Sequence, residues 1–329
     1  MIITRTPFRV SFCGGGSDLP SFYKKHSGCV LSTTIDKYIY LSIHPSFQKA
    51  TTALKYSQTE IVKNLSRIKH KIFRQCLTDL HVRGVEISSI ADIPAGTGLG
   101  SSSAFTVGLL HLLYCYKGES VSKERLAREA CEMEIEKLGE PIGKQDQYAA
   151  AYGGLNFIRF NCDGSVSVEP VIMNRSSYEI LRNNLMMFYT GDVRSASSIL
   201  VEQGKNITAG EKEKNQQKIC ALTKVLKKEL ENNNVDAMGE ILHESWLLKR
   251  TLATGITNPD IDRWYETARK KGAIGGKLLG AGGGGFLLLY VPEKYQQNVR
   301  DSLYELSEVR FGFDWQGSAV IYVGDKPKS

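Results

Sequence analysis

The chain lacks any long apolar run. Its longest, Phe286 to Val291, falls far short of the ~20 residues that span a bilayer, so neither a membrane-spanning helix nor a membrane partner is expected. The first residues, MIITRTPFRV, carry no basic-then-apolar leader, and the expected compartment is the cytoplasm. Motif-spaced cysteine and histidine are missing as well. The seven cysteines (13, 29, 76, 115, 131, 162 and 220) never stand in C-x-x-C spacing, and the six histidines form no H-E-x-x-H or H-x-x-x-H pair. This excludes a disulfide framework and a structural transition-metal site, and it leaves reduced, mostly buried thiols. Cys13 reads as a small packing residue rather than a nucleophile. Blocks of like charge are also absent. The 42 Lys+Arg are interspersed with 35 Asp+Glu for a net charge of +7, so no nucleic-acid arm stands out and the surplus is a mild bias toward anionic small molecules. Repeats and low-complexity segments are lacking too, which excludes solenoids, collagen and coiled coils.

What is present is a globular chain of 329 residues, 42% hydrophobic and 9% aromatic, with material for one large or two ordinary domains. Strand-like and helix-like stretches alternate, giving an α+β or α/β class. Ile2 to Phe12, Cys29 to Ile43 and Val85 to Ile90 read as strands. A helix opens at Ser101 and is apolar nearly all round, which predicts burial. Val121 to Leu138 reads as one amphipathic helix capped by Ser122, followed by a short helix near Gln145 to Ala151. Asn161-Cys162-Asp163-Gly164 is a turn between Leu155 to Phe160 and Val166 to Val168. A boundary near residue 180 divides the chain into 1–180 and 181–329. In the second part a helix starts at Asn258-Pro259, a glycine run precedes the strand Phe286 to Val291, and a last strand, Ala319 to Val323, completes an α/β sandwich-like half.

The most informative stretch is Pro94-Ala95-Gly96-Thr97-Gly98-Leu99-Gly100-Ser101-Ser102-Ser103. Alternating glycines strip side chains from a loop that opens into a helix N-terminus, so bare N–H groups and the positive helix end make an anion cradle. The three hydroxyls are suited to cap the helix, donate to phosphate oxygens or ligate Mg²⁺. An ordinary serine-capped helix needs one serine and no run of glycines. Two better-known glycine loops are excluded by spacing, because no lysine completes G-x-x-x-x-G-K-[ST] and Ser101 stands where G-x-G-x-x-G needs its third glycine. A nicotinamide-dependent oxidoreductase also lacks its acid about 20 residues on, where Tyr116 stands.

Without a loop lysine, phosphate charge must be met by a metal and by cations from elsewhere. Two carboxylates stand nearby in sequence, Glu134 on the helix before Gly139 and Asp146 beside Lys144. One suits a hard Mg²⁺ ligand, the other a base for a substrate hydroxyl.

Three segments in order, Pro7-Phe8-Arg9-Val10-Ser11-Phe12-Cys13-Gly14-Gly15-Gly16-Ser17-Asp18, then Pro94 to Ser103, then Leu278-Leu279-Gly280-Ala281-Gly282-Gly283-Gly284-Gly285, resemble the three motifs of the GHMP kinases. They span almost the whole chain. Cys-Gly-Gly-Gly-Ser-Asp-Leu-Pro, Ile35-Asp36-Lys37-Tyr38 and Gly143-Lys144-Gln145-Asp146-Gln147-Tyr148 resemble the D-glycero-D-manno-heptose 7-phosphate kinase branch.

The resemblance implies an α+β fold, with an N-terminal domain like ribosomal protein S5 domain 2, a ferredoxin-like C-terminal domain, and ATP and sugar between them. It implies that Pro94, Gly96, Gly98, Leu99, Gly100 and Ser101 to Ser103 bind ATP, that Ser102 and Glu134 hold Mg²⁺, and that Asp146 orients or deprotonates the acceptor hydroxyl with Arg9 beside it. Gly16, Ser17, Asp18, Asp36, Lys37, Gly282 and Gly283 would meet the sugar. Lys144, Lys37, Arg194 and Lys277 are the candidate cations for a phosphate already on the acceptor. Where galactokinases have Gly-Glu-His-Thr-Asp this chain has Gly-Gly-Gly-Ser-Asp, which argues against galactose. The implied reaction gives a sugar 1-phosphate and ADP. An unphosphorylated acceptor sugar and a silent sugar or nucleotide sensor remain the alternatives, as do monomer and homodimer.

Overall fold

Two runs rich in β-branched and aromatic residues form the spine of the molecule, because such side chains pack well on a pleated surface. They are β1 (Ile2–Cys13) and β2 (Gly28–Pro45), paired antiparallel along nearly their whole length. The computed structural model describes residues 1–191 and 196–324. Among these the further strands are β3 (Thr52–Lys55), β4 (Thr59–Val62), β5 (Val85–Ala91), β6 (Asn156–Phe160), β7 (Val166–Pro170), β8 (Leu185–Tyr189), β9 (Gly275–Leu278), β10 (Phe286–Tyr290), β11 (Ser307–Glu308), β12 (Phe313–Asp314) and β13 (Ala319–Val323). The helices are α1 (Pro20–His26), α2 (Lys71–Asp79), α3 (Ser101–Tyr116), α4 (Lys123–Cys131), α5 (Gln145–Tyr152), α6 (Arg175–Asn183), α7 (Ala196–Asn206), α8 (Gly210–Glu231), α9 (Ala237–Lys249), α10 (Pro259–Lys270) and α11 (Gln296–Ser302). None is long and apolar enough to cross a membrane.

The first sheet runs β13-β1-β2-β5-β3-β4, with β6, β7 and β12 joined to it through β2. The expected last strand of the second half, Ala319 to Val323, instead pairs with β1, Ile2 facing Val323 and Arg5 facing Ala319. The edge of β1 not used by β2 offers a row of unpaired backbone groups, and the returning chain satisfies them. The second sheet is antiparallel in the order β11-β8-β10-β9. In chain order these strands and the helices between them make β-α-β-β-α-β with spatial order 4-1-3-2, the ferredoxin-like arrangement. β9 is a strand the sequence does not signal, since Gly275 and Gly276 carry no strand propensity.

α3 is buried almost all round, as its composition requires, and lies across β1 and β2. The predicted helix over 121–138 starts at the Ser122 cap, whose side chain accepts from Arg125 N, but changes character after Cys131. Glu132–Lys137 is a π-helical turn, closed by Leu138 N donating to Met133 O at 3.1 Å. The wider turn carries Met133 and Glu134 into the interior, and such π turns recur at functional positions. Cys13, Cys29, Cys76, Cys131 and Cys220 are buried and free.

Candidate active site

β1 does not pair evenly with β2. Its register shifts between Pro7 and Arg9, and the irregularity frees the Arg9 amide to donate to Leu99 O at 3.1 Å. The phosphate-loop candidate is thereby tied to β1. Gly96, Gly98 and Gly100 take φ of 82°, 84° and 75°, which L side chains rarely adopt. Thr97 Oγ1 closes the loop on Pro94 O at 3.0 Å. A Cβ on Gly98 would lie 2.6 Å from Leu279 O, so this loop and the 280–285 glycine run touch through bare backbone.

Gly100 is the N-cap of α3, and no serine side chain caps it. The hydroxyls are left for other work. Ser102 Oγ donates to Glu134 Oε1 at 2.7 Å, and Gln147 Nε2 donates to Glu134 Oε2 at 2.7 Å. Burial pushes the Glu134 carboxyl above its usual range. A buried carboxylate beside a hydroxyl at a helix N-terminus is a fitting donor set for a hard, oxygen-seeking ion. Among the described residues no group of three or more His, Cys, Asp or Glu is gathered as a metal cage, so an ion here would need a ligand's own oxygens to complete its shell.

Beside this lies the strongest ion pair of the site. Arg9 Nε donates to Asp146 Oδ1 at 2.7 Å and Nη2 to Oδ2 at 2.8 Å, while Nη1 donates to Gly98 O at 2.6 Å. Asp18 stands behind, with Oδ1 accepting from Gly16 N at 3.0 Å and Oδ2 from Gln145 N at 3.2 Å. The chain passes so close that a Cβ on Gly143 would lie 1.9 Å from Asp18 Oδ2. Burial, and then the charge of Asp146, push the Asp18 carboxyl up to about 6.

The glycine loop, Ser102, Glu134, Arg9, Asp146 and Asp18 line one cavity of about 320 Å³. Of the residues expected from the sequence, Arg9, Gly16, Asp18, Gly96, Gly98, Gly100, Ser101 to Ser103, Glu134, Asp146, Lys277 and Gly282 line it. Others do not. Pro94 is exposed and Leu99 is buried as a loop anchor. Ser17 turns its hydroxyl to the Cys29 backbone. Asp36 accepts from Gly312 N at 2.8 Å, with Lys37 Nζ 3.9 Å from its carboxylate, and neither lines the cavity. Lys144 reaches the hairpin instead, donating to Gly164 O at 2.7 Å over the Tyr23 ring. Gly283 is not among the lining residues, and Arg194 lies outside the described residues.

Sequence reading missed several lining residues, among them the buried Ser11, Lys249 and Gln203. Two of them had a signal. Lys249 falls on the buried stripe Met238, Leu242, Ser245, Trp246 of α9, and Gln203 of α7 falls between the buried Ile199 and Ile207, the latter just past the helix. A polar residue on an apolar stripe is the informative exception. Burial lowers Lys249 well below the ordinary lysine range and brings Lys277 down to about 8.

A glycine loop on a helix N-terminus, a hydroxyl–carboxylate pair and a clamped aspartate in one cleft suit phosphoryl transfer to a hydroxyl. The family descriptions "GHMP kinases N terminal domain" and "GHMP kinases C terminal" match residues 54–154 and 226–307. The chain belongs to the GHMP kinase family. Its two sheets are the N- and C-terminal halves of that fold, and as a GHMP sugar kinase it is a phosphotransferase with a sugar hydroxyl as acceptor. It is 29% identical over 317 residues to the D-glycero-alpha-D-manno-heptose 7-phosphate kinase of Campylobacter jejuni, covering 92% of this chain and 93% of that one. It is 22% identical to the galactokinase of Thermotoga maritima, covering 94% of this chain and 95% of the relative. The solved structure of a D-glycero-D-manno-heptose 1-phosphate kinase from Bacteriodes thetaiotaomicron superposes with a TM-score of 0.80 at 23% identity, covering 99% of this chain and all of that one.

Proposed function

We propose that this kinase transfers the γ-phosphoryl group of ATP to the anomeric hydroxyl of D-glycero-D-manno-heptose 7-phosphate, giving the 1,7-bisphosphate and ADP. The observation that carries the reading is the shared cavity, in which the helix N-terminus at Ser101, the Arg9–Asp146 pair and Asp18 meet. The heptose phosphate comes from the relative whose sequence matches over most of both chains.

In this reading the amides of 96–103 bind the triphosphate. Arg9 holds Asp146 through both carboxylate oxygens, each of which keeps a lone pair for the incoming hydroxyl. Asp146 orients that hydroxyl and takes its proton as the new O–P bond forms and the bond to the ADP oxygen breaks. Arg9 offsets charge on the transferring group. A Mg²⁺ ion held by Ser102, Glu134 and nucleotide oxygens would neutralise phosphate charge. We infer as well that the chain divides near residue 180, between β7 and β8, with residues 313–323 returning to the first unit.

An ADP-release assay over a panel of sugars and sugar phosphates tests the proposal. Heptose 7-phosphate is expected to exceed free heptose in kcat/KM by roughly 10²-fold, the size of one or two charge-assisted bonds. Best turnover with a free fucose- or galactose-like sugar replaces the substrate, and binding without turnover of any sugar makes the protein a sensor.

A further inference from the structure

Of the four sequence candidates for the acceptor's phosphate, Lys37 and Lys144 do not line the cavity and Arg194 lies outside the described residues, so among the described residues the candidates are Lys277 and the unforeseen Lys249. We propose that Lys249 and Lys277, with the Ser11 hydroxyl and the Gln203 amide, form a receptor for a phosphate monoester that the acceptor carries away from its reacting hydroxyl. This rests on the function proposed above and specifies how that substrate is chosen.

Both lysines are nearly fully buried and line the cavity. Lys277 Nζ donates to Ser11 O at 2.8 Å and to Phe12 O at 3.1 Å, and Lys249 Nζ donates to Gly280 O at 2.5 Å. In its protonated form an ammonium has three donors, so beside these bonds Lys277 would keep one and Lys249 two for an anion. Among the described residues neither has a carboxylate within ion-pair distance, although Asp18 is near enough for Lys249 to feel its charge. Burial makes the charged form of both amines costly, and a dianion between them would favour their protonation and remove that cost.

Two further polar groups point the same way. Ser11 and Gln203 line the same cavity, and among the described residues their buried Oγ and Nε2 have no hydrogen-bond partner. A Cβ on Gly16 would lie 2.2 Å from Gln203 Nε2, so the glycine leaves the room that the amide occupies. Gln203 and both lysines come from the second half of the chain and gather around Ser11 and Gly16 of the first. In the proposed reading the triphosphate has its own donors, at the N-terminus of α3. Arg9 stands between the two groups, bonded to Gly98 O and within electrostatic reach of both lysines.

The test compares kcat/KM for heptose 7-phosphate with kcat/KM for heptose, as a ratio, in the wild type and in Lys249→Met, Lys277→Met and Gln203→Leu. Binding of inorganic phosphate to the nucleotide-free proteins is measured by calorimetry alongside. The ratio is expected to fall about 100-fold for either lysine variant and about 10-fold for Gln203→Leu, with phosphate binding weakened in the same order. Variants that keep the wild-type ratio overturn the receptor, as does an equal loss on both sugars, which marks a structural or ATP-directed role. Gln203→Leu removes no charge and decides the matter if a lysine variant fails to fold. A wild type that prefers unphosphorylated sugars overturns the proposed substrate instead. The receptor then stands if Lys249→Met abolishes phosphate binding and falls if it does not.

Discussion

Arg9 grips Asp146 edge to edge, with parallel bonds of 2.7 and 2.8 Å, and uses its remaining nitrogen to hold Gly98 O of the glycine loop. One guanidinium thus fixes the carboxylate proposed to meet the acceptor hydroxyl relative to the loop proposed to bind the nucleotide. Alignment of this kind supplies much of the rate in phosphoryl transfer.

Asp146→Asn is expected to lose at least ~10²-fold in kcat with less than about threefold change in the KM for MgATP, because the charge acts on the acceptor. Arg9→Lys should also lower kcat strongly, since a lysine cannot hold both carboxylate oxygens and Gly98 O at once. Steady-state kinetics with each substrate varied checks both. Near wild-type turnover in Asp146→Asn would remove it from the reaction.

Glu134→Gln keeps the shape of the contacts to Ser102 and Gln147 but removes the buried negative charge. The Mg²⁺ concentration for half-maximal rate should rise roughly tenfold or more and ATP affinity should fall. An unchanged Mg²⁺ titration would show that Glu134 holds only the fold.

Asp18 makes stability depend on pH. Its carboxyl is raised from 3.8 to about 6 by burial and by the charge of Asp146, so the folded protein binds a proton in this window that the unfolded chain releases. The contribution is full below pH 3.8 and is lost as pH rises through about 6. Above that the charged group costs on the order of 2–3 kcal/mol. Asp18→Asn should therefore raise the melting temperature at pH 8 and give no gain near pH 4, while weakening acceptor binding. Melting curves across this range test it, and a gain independent of pH would refute the assignment.

Gly98→Ala should weaken the nucleotide site and the fold together. Its φ of 84° and the 2.6 Å approach to Leu279 O leave no place for a methyl group, and a side chain forced into such a conformation costs about 1–3 kcal/mol. A lower melting temperature with a raised KM for MgATP is expected. Intact ATP affinity would separate the loop from the nucleotide.

The sequence by itself determined what short-range forces decide. Alternating glycines at 96, 98 and 100 permit the positive φ they adopt, the all-round apolar pattern of 101–116 calls for burial, and Asn258-Pro259 favours a helix start. The ordered motifs carried the family and, with it, Arg9, Asp146, Glu134 and Asp18. Tertiary structure alone decided which charges share the cavity. Lys144 and Lys37 are adjacent in sequence to matched loops, yet their strand and turn geometry sends them elsewhere. Lys249 lies more than a hundred residues from Asp146 and reaches the same cavity because α9 packs beneath the glycine run. The π turn that buries Glu134 and the return of Ala319–Val323 to β1 are likewise long-range outcomes. A helix period or a turn is set by neighbours a few residues away, whereas a cavity is set by how separate surfaces close over one another. Only the second process brings unpaired cations and orphaned amides to one point.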